Sequence, residues 1–186
     1  GAASASTGSV GMFHVVGSTP EAPTLEAALA GHRPVEEVTV TAADLRGARD
    51  RLSTTTSDDL RTVSLGTPHY SVSEIGRLVE LLGGRRVGDG VAFFVSTGRD
   101  VLHEVELRGW AGRLADAGVT MVTDTCTYFT PIIQDRTGTS MTDSAKWAYY
   151  APGNLGLEVV FGSTEDCVES AILGRVVRDE GIWADV

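Results

Sequence analysis

"TVSLGTPHYSVSEIGRLVELLGG" (62–84) is the stretch on which the fold turns. It opens on an apolar, β-branched run that suits a buried strand. From Ser71 the pattern changes to that of a helix: Ser71 and Glu74 have capping-box spacing, and Gly83-Gly84 make a stop. Between the two, Gly66, Thr67, Pro68 and His69 read as a tight turn. Strand, turn and helix in this order make up half of a βαβ unit.

The same grammar recurs along the chain. "VEEVTV" (35–40) precedes "TAADLRGARDRL" (41–52), where Thr41 and Asp44 are spaced like a capping box. "VAFFVST" (91–97) precedes "DVLHEVELRGWAGRLADAG" (100–118), which reads as one helix closed by Gly118. "VTMVTDT" (119–125) leads into an irregular stretch. "LEVVFG" (157–162) precedes "STEDCVESAILG" (163–174), with Ser163 as N-cap and Gly174 as stop. Strands alternating with helices, most of them apolar on both faces, predict a three-layer α/β/α fold. Its sheet should be largely parallel, with about five strands and right-handed crossovers.

Residues 1–34 break the rhythm. They read as an apolar strand, "SVGMFHVVG" (9–17), a Pro-bounded turn and a short helix. We therefore expect an opening segment (1–34) that adds an edge strand to a main domain spanning 35–186. The length of 186 residues suits one domain of this kind.

Composition narrows the function classes. A formal charge of −10 leaves no basic patch to neutralise phosphates, so neither nucleic acid nor an anionic membrane is an expected partner. No apolar run nears the roughly 20 residues that span a bilayer. The first ten residues lack the basic start and apolar stretch of a signal peptide. With two cysteines, a disulfide framework is not expected, and a cytoplasmic protein is. The chain starts without methionine, so a leader or a further domain is expected to precede it.

In open parallel sheets, ligands bind outside the carboxyl ends of the strands. Four turns fall there, at 66–70, 96–100, 124–130 and 162–166. They gather Thr67, His69, Ser96, Thr97, Cys126, Thr127 and Ser163 on one edge, with Cys167 a turn into the last helix. Plainer readings stand beside these. Either cysteine suits small core filling, His69 suits a bond to a carbonyl, and His14 suits a satisfied core histidine. The stretch "TGTSMTDSAKWAYYAPG" (137–153) reads as a long hydroxyl-rich loop, either mobile or catalytic. In it Ser144 caps a short helix or acts beside a cation, and the Ser144–Lys146 pair also admits a serine-lysine hydrolase.

Five stretches, taken together and in order, resemble the aconitase X family: "GSVGMFHVVGSTPEAPTLEAAL", "LGTPH", "VTDTCTYFTP", "TDSAKWAYYAPG" and "GSTEDCVESAILG". The resemblance corresponds to the carboxyl-terminal part of that family's large subunit. It implies a hydro-lyase acting on a small hydroxy acid such as cis-3-hydroxy-L-proline or mevalonate 5-phosphate. It also implies partners supplying the remaining large-subunit region and a small swivelling domain, unless this chain is a fragment cut from a longer one.

The same resemblance, with the hydroxyl-rich character of the loop, makes Ser144 the candidate base; beside it Lys146 is expected to stabilise its alkoxide or hold a carboxylate, and His69 to protonate the leaving group if no iron is present. Ser96, Thr97, Asp143 and His14 are candidate substrate contacts. The family's iron-sulfur ligands appear in the pattern as Cys126, Cys167 and Thr67. A threonine hydroxyl is a hard, rarely deprotonated oxygen and a poor substitute for thiolate on iron. The expectation is thus a weakened cluster, another metal, or none. A non-catalytic aconitase-like scaffold or regulator is the rival class.

Overall fold

The computed structural model describes residues 1–183. In chain order its elements are α1 (Ala2–Gly8), α2 (Leu25–Leu29), α3 (Ala42–Arg51), β1 (Leu60–Tyr70), α4 (Val72–Leu82), β2 (Ala92–Thr97), α5 (Arg99–Leu107), α6 (Trp110–Ala117), β3 (Val119–Thr123), β4 (Thr139–Thr142), α7 (Ala145–Leu155), β5 (Glu158–Phe161) and α8 (Thr164–Leu173). A short 3-10 turn, Glu180–Trp183, follows.

The five strands form one sheet in the order β3-β2-β1-β4-β5, every neighbouring pair parallel. Helices α4, α5, α6 and α8 cover one face, over a core that includes Val63, Leu65, Ile75, Leu78, Phe93 and Val168. Helix α7 covers the other face around the buried Trp147 and Val159, and α1 leans on α7. This is the three-layer α/β/α arrangement that the alternating pattern predicts.

The predicted caps form. Thr41 with Asp44, Ser71 with Glu74 and Ser163 with Asp166 are complete capping boxes. Gly83, Gly118 and Gly174 end their helices in the left-handed conformation.

Five readings need correction. Residues 35–40 join no ladder, although their alternation suits a strand; Val35, Val38 and Val40 are exposed and no neighbouring strand is in register with them. Residues 9–17 likewise add no edge strand, and the sheet ends at β3 and β5. The residues before them form α1 instead. The supposed turn at 66–69 lies inside β1: the ladder with β2 shifts register after Leu65 and resumes at Tyr70, opposite Thr97. Gly66 has φ +82° there, and the Thr67–Pro68 peptide is cis.

The helix predicted over 100–118 is two helices, broken where Gly109 turns left-handed. Last, the long loop at 137–153 is β4 followed by α7. Its hydroxyls hid a strand because Thr139, Ser140 and Thr142 are buried between neighbours rather than solvated.

Candidate functional site

Strand β1 sends its chain through α4 to β2 on one side, while β4 sends its chain through α7 to β5 on the other. The carboxyl ends of β1 and β4 therefore flank the topological switch point, where an open α/β sheet leaves a crevice. The side chains gathered there come from β1, from the β4–α7 junction and from the start of α8.

Ser144 is the N-cap of α7. It is buried, accepts the Trp147 amide at 3.0 Å, and donates to the Thr67 carbonyl. Its own amide donates to Thr142 Oγ1 at 3.1 Å, and that hydroxyl donates to the Ser64 carbonyl at 2.6 Å. The bulge in β1 turns the Thr67 carbonyl toward α7, so the irregularity and the serine are parts of one arrangement.

Asp143 lies beside it, largely buried. Its carboxylate accepts from the Tyr70 phenol and, at 2.8 Å, from the Thr164 hydroxyl. Burial pushes the Asp143 carboxyl above the ordinary range, with the two donated bonds pulling the other way. Burial, then the Asp143 charge, pushes the Tyr70 phenol up. The ends of β1, β4 and α8 are thereby tied by one carboxylate.

A second layer of hydroxyls lies inward. Ser64 Oγ and Thr127 Oγ1 share a hydrogen bond of 2.6 Å, and Trp147 Nε1 donates to Thr127 Oγ1 at 2.8 Å. Thr97 Oγ1 donates to the Tyr70 carbonyl at 2.7 Å. Three buried hydroxyls, Thr67 Oγ1, Ser96 Oγ and Ser140 Oγ, have no partner within the described residues. A buried hydroxyl left unpaired costs about 1–3 kcal/mol, so it marks a place where something else is wanted or tolerated.

The remaining candidates are spread around this centre. His69 is exposed, with Nε2 3.2 Å from the Thr125 carbonyl. Lys146 is half-buried and lines an open cleft of about 430 Å³ with Ser6, Tyr128, Tyr150 and Asn154, where Tyr128 and Tyr150 stack at 5.4 Å. It stands two residues beyond Ser144, a spacing that puts the two on different sides of a helix. His14 lies exposed in the segment after α1, so the core-histidine reading does not hold. Arg99 pairs with Asp124 at 2.6 Å and joins the turns that follow β2 and β3.

Tyr70, Thr164 and Trp147 are site residues that the sequence reading missed. Continuing the β1 alternation through Pro68 would have placed Tyr70 on the same edge. Thr164 was visible only as the residue after an N-cap.

Cys167 sits in the core with its thiol fully buried; burial, then Asp143, Asp166 and Glu165, pushes that thiol up. Cys126 is half-buried in the turn after β3. Thr67 brings a buried, unpartnered hydroxyl. Among the described residues no group of three or more His, Cys, Asp or Glu is arranged to hold a metal ion. Two thiols and a hydroxyl bring only two of the thiolates that an iron-sulfur cluster takes, so these three residues do not fit a cluster on this chain alone.

Comparison with known proteins follows the same outline. Residues 60–173 match the family model described as aconitase X third domain, and residues 1–50 match the one described as aconitase X second domain. A cis-3-hydroxy-L-proline dehydratase of Pseudomonas aeruginosa is 40% identical over 185 residues, covering 98% of this chain and 32% of that protein. A phosphomevalonate dehydratase large subunit of Methanothermobacter thermautotrophicus is 36% identical over 161 residues, covering 87% and 39%. The chain thus spans about a third of the length of these curated relatives. The crystal structure of Thermococcus kodakaraensis aconitase X in its holo-form superposes with a TM-score of 0.63 at 24% identity, over 74% of this chain and 36% of that one. That likeness speaks for the fold. Together with the match of the third-domain model over the whole sheet, these relatives show that the chain belongs to the aconitase X family.

Proposed function

We propose that this chain is the part of an aconitase X hydro-lyase that carries the catalytic serine, acting on a small hydroxy acid. The observation behind this reading is Ser144: a buried hydroxyl at the head of α7, at the switch point, in a chain of this family. Elimination of water needs a base for the carbon-bound proton and an acid for the departing hydroxide. The Trp147 amide and the α7 dipole favour negative charge on Ser144 Oγ. A helix end supplies only about 0.3–1 kcal/mol at the surface, up to about 2 when partly buried. The rest of the activation must come from groups that close over the edge, with Ser144 turning from the Thr67 carbonyl toward substrate.

His69, exposed on the same edge, is assigned the proton for the leaving hydroxide. Lys146, in the first turn of α7, is assigned a substrate carboxylate. Ser96, whose hydroxyl is unpartnered, is the assigned polar contact in the crevice; Thr97 and Asp143 already serve other groups and act by shaping it. Among the described residues of this edge, Arg99 is already paired with Asp124. That leaves little for a phosphate and, with the 40% identity to a cis-3-hydroxy-L-proline dehydratase, favours that substrate over mevalonate 5-phosphate.

One sheet edge offers only one wall of a cleft that must exclude water. The reading therefore includes partners in the cytoplasm: the remaining large-subunit region and a swivelling domain, on the same polypeptide or on others. No helix of the described residues is long and apolar enough to cross a membrane. The donor set leads us to route no step through a cluster.

The rival reading, a scaffold that has lost catalysis, is favoured by Thr67 alone. Dehydration of cis-3-hydroxy-L-proline by the chain co-expressed with the remaining family domains, lost in Ser144→Ala, separates the two. Turnover unaffected by that substitution removes Ser144 from the mechanism.

A further inference from the structure

A cavity lies at the far end of α4 from the catalytic edge. Gly83 and Gly84, both with positive φ, end that helix and turn the chain into two consecutive arginines. Arg85 goes back to its own helix and to α8. It donates to the Leu81 and Leu82 carbonyls and to both carboxylate oxygens of Glu169, at 2.6 to 3.2 Å. Arg86 does neither. With Arg113 and Asp116 of α6, all three exposed, it lines a cavity of about 280 Å³. Val79, Leu82 and Leu114 line it too and are at most 4% exposed, so charged groups rim an apolar floor.

Among the described residues Arg86 and Arg113 have neither an ion pair nor a hydrogen bond. In this acidic chain Arg61, Arg77, Arg85, Arg99 and Arg108 each found a carboxylate. Asp116 shares the cavity with the two free arginines and pairs with neither. Nor do the neighbouring helix ends call on them. Carbonyls at a helix carboxyl end carry partial negative charge, which disfavours an anion nearby. Here Leu81 and Leu82 are served by Arg85, and the Ala117 carbonyl accepts from the Val87 amide at 2.8 Å.

We propose that this cavity binds a small carboxylate with a compact aliphatic body. The two guanidinium groups take the carboxylate, and the apolar floor takes the rest of the molecule. The volume stands below the ~300–1,000 Å³ of pockets for drug-sized ligands, so the ligand is smaller than a nucleotide or a peptide. A formal charge of −10 disfavours anions of higher charge, and inorganic phosphate would leave the floor uncovered. Helix α4 has 11 residues, so the site stands about 16 Å along it from the Ser71 cap at the catalytic edge. Binding there is independent of the proposed reaction.

Methyl NMR of the chain titrated with 3-methylbutanoate tests it. The Val79, Leu82 and Leu114 methyl signals should shift and saturate below about 50 mM, while the Trp147 indole signal stays in place. Neutral 3-methylbutanamide and inorganic phosphate should each bind at least about tenfold more weakly, one lacking the charge and the other the apolar body. Arg86→Gln and Arg113→Gln should each weaken 3-methylbutanoate by at least about tenfold, and Arg86→Lys by less. Asp116→Asn should tighten it by about two- to threefold, because a like charge is removed. All four positions are exposed, and an unchanged remainder of the spectrum shows that each variant is folded. Methyl shifts that do not saturate, amide or phosphate binding as well as the carboxylate, or glutamine variants that bind like wild type each overturn the proposal. Shifts at Trp147 with none at the three methyl-bearing residues would put the carboxylate at the catalytic edge and overturn it as well.

Discussion

Ser144 donates its hydroxyl hydrogen bond to the carbonyl of Thr67, across the point where β1 and β4 send their helices to opposite faces of the sheet. The bond joins a helix cap to a strand bulge. It also gives Ser144 two separable duties, capping α7 and, in the proposed reaction, accepting a proton.

Substitution separates them. Ser144→Ala should lower stability by about 0.5–2 kcal/mol through loss of the N-cap, whereas Ser144→Gly should cost only a few tenths. Both should abolish turnover in the assembled enzyme. Urea denaturation and a dehydration assay on the same two proteins check this; an active Gly variant would confine Ser144 to capping.

Asp143 holds Tyr70 and Thr164, so Asp143→Ala should strand both hydroxyls and cost on the order of 1–3 kcal/mol. Its carboxyl is raised in the folded chain, chiefly by burial. Asp143 therefore binds its proton more tightly folded than unfolded. Its contribution is fully present below the ordinary aspartate range and is lost as pH rises through the raised value. In Asp143→Asn that pH dependence should vanish, giving a flatter stability curve over this window than wild type. Denaturation midpoints across pH read it directly, and parallel curves would show that the carboxyl is not raised.

The layers and their caps were legible because each rests on local chemistry. Ser71 with Glu74, or Ser163 before Asp166, carries its own hydrogen-bond logic within four residues. The sheet membership was less legible. Residues 35–40 show the right alternation, yet whether a strand forms depends on a neighbour that alternation cannot supply. Thr139, Ser140, Met141 and Thr142 form a buried strand with mostly hydroxyl side chains; Thr139 and Thr142 donate to the Ser57 and Ser64 carbonyls, partners that the sequence of the strand does not show. At the site, Ser144, Asp143 and Thr67 stood out by sequence, while the bond from Ser144 to the Thr67 carbonyl and the partners Tyr70 and Thr164 depend on the bulge in β1 and on the approach of α8.

Gly66 makes that bulge. Its φ is +82°, and a Cβ there would fall inside van der Waals contact with the Ser96 main chain. Backbone at both ends of the clash leaves no flexible group to yield. Gly66→Ala should therefore destabilise the sheet domain by more than the about 1 kcal/mol typical of glycine replacements at positive φ, and should loosen the β1–β2 ladder after Leu65. Hydrogen exchange along β1 and β2 checks it; unchanged protection would mean that the strands slide apart at little cost.

Thr67 decides the question of the cluster. Its hydroxyl is buried and unpartnered, at the place where the resemblance puts a cysteine. If nothing in the chain uses that hydroxyl, Thr67→Val removes an unsatisfied group at nearly constant volume and should leave stability unchanged or raise it by about 1 kcal/mol. Thr67→Cys instead supplies a third thiol in addition to Cys126 and Cys167. A thiolate is the donor that iron-sulfur clusters take, and a hydroxyl is not. After anaerobic reconstitution the wild-type chain should hold less than one cluster's complement of iron and sulfide, and Thr67→Cys should hold more, with the charge-transfer absorption of thiolate-bound iron. A full complement in the wild-type chain would show that Thr67, or a residue outside the sheet edge, completes the ligand set, and would reopen metal-assisted departure of hydroxide in place of the proton assigned to His69.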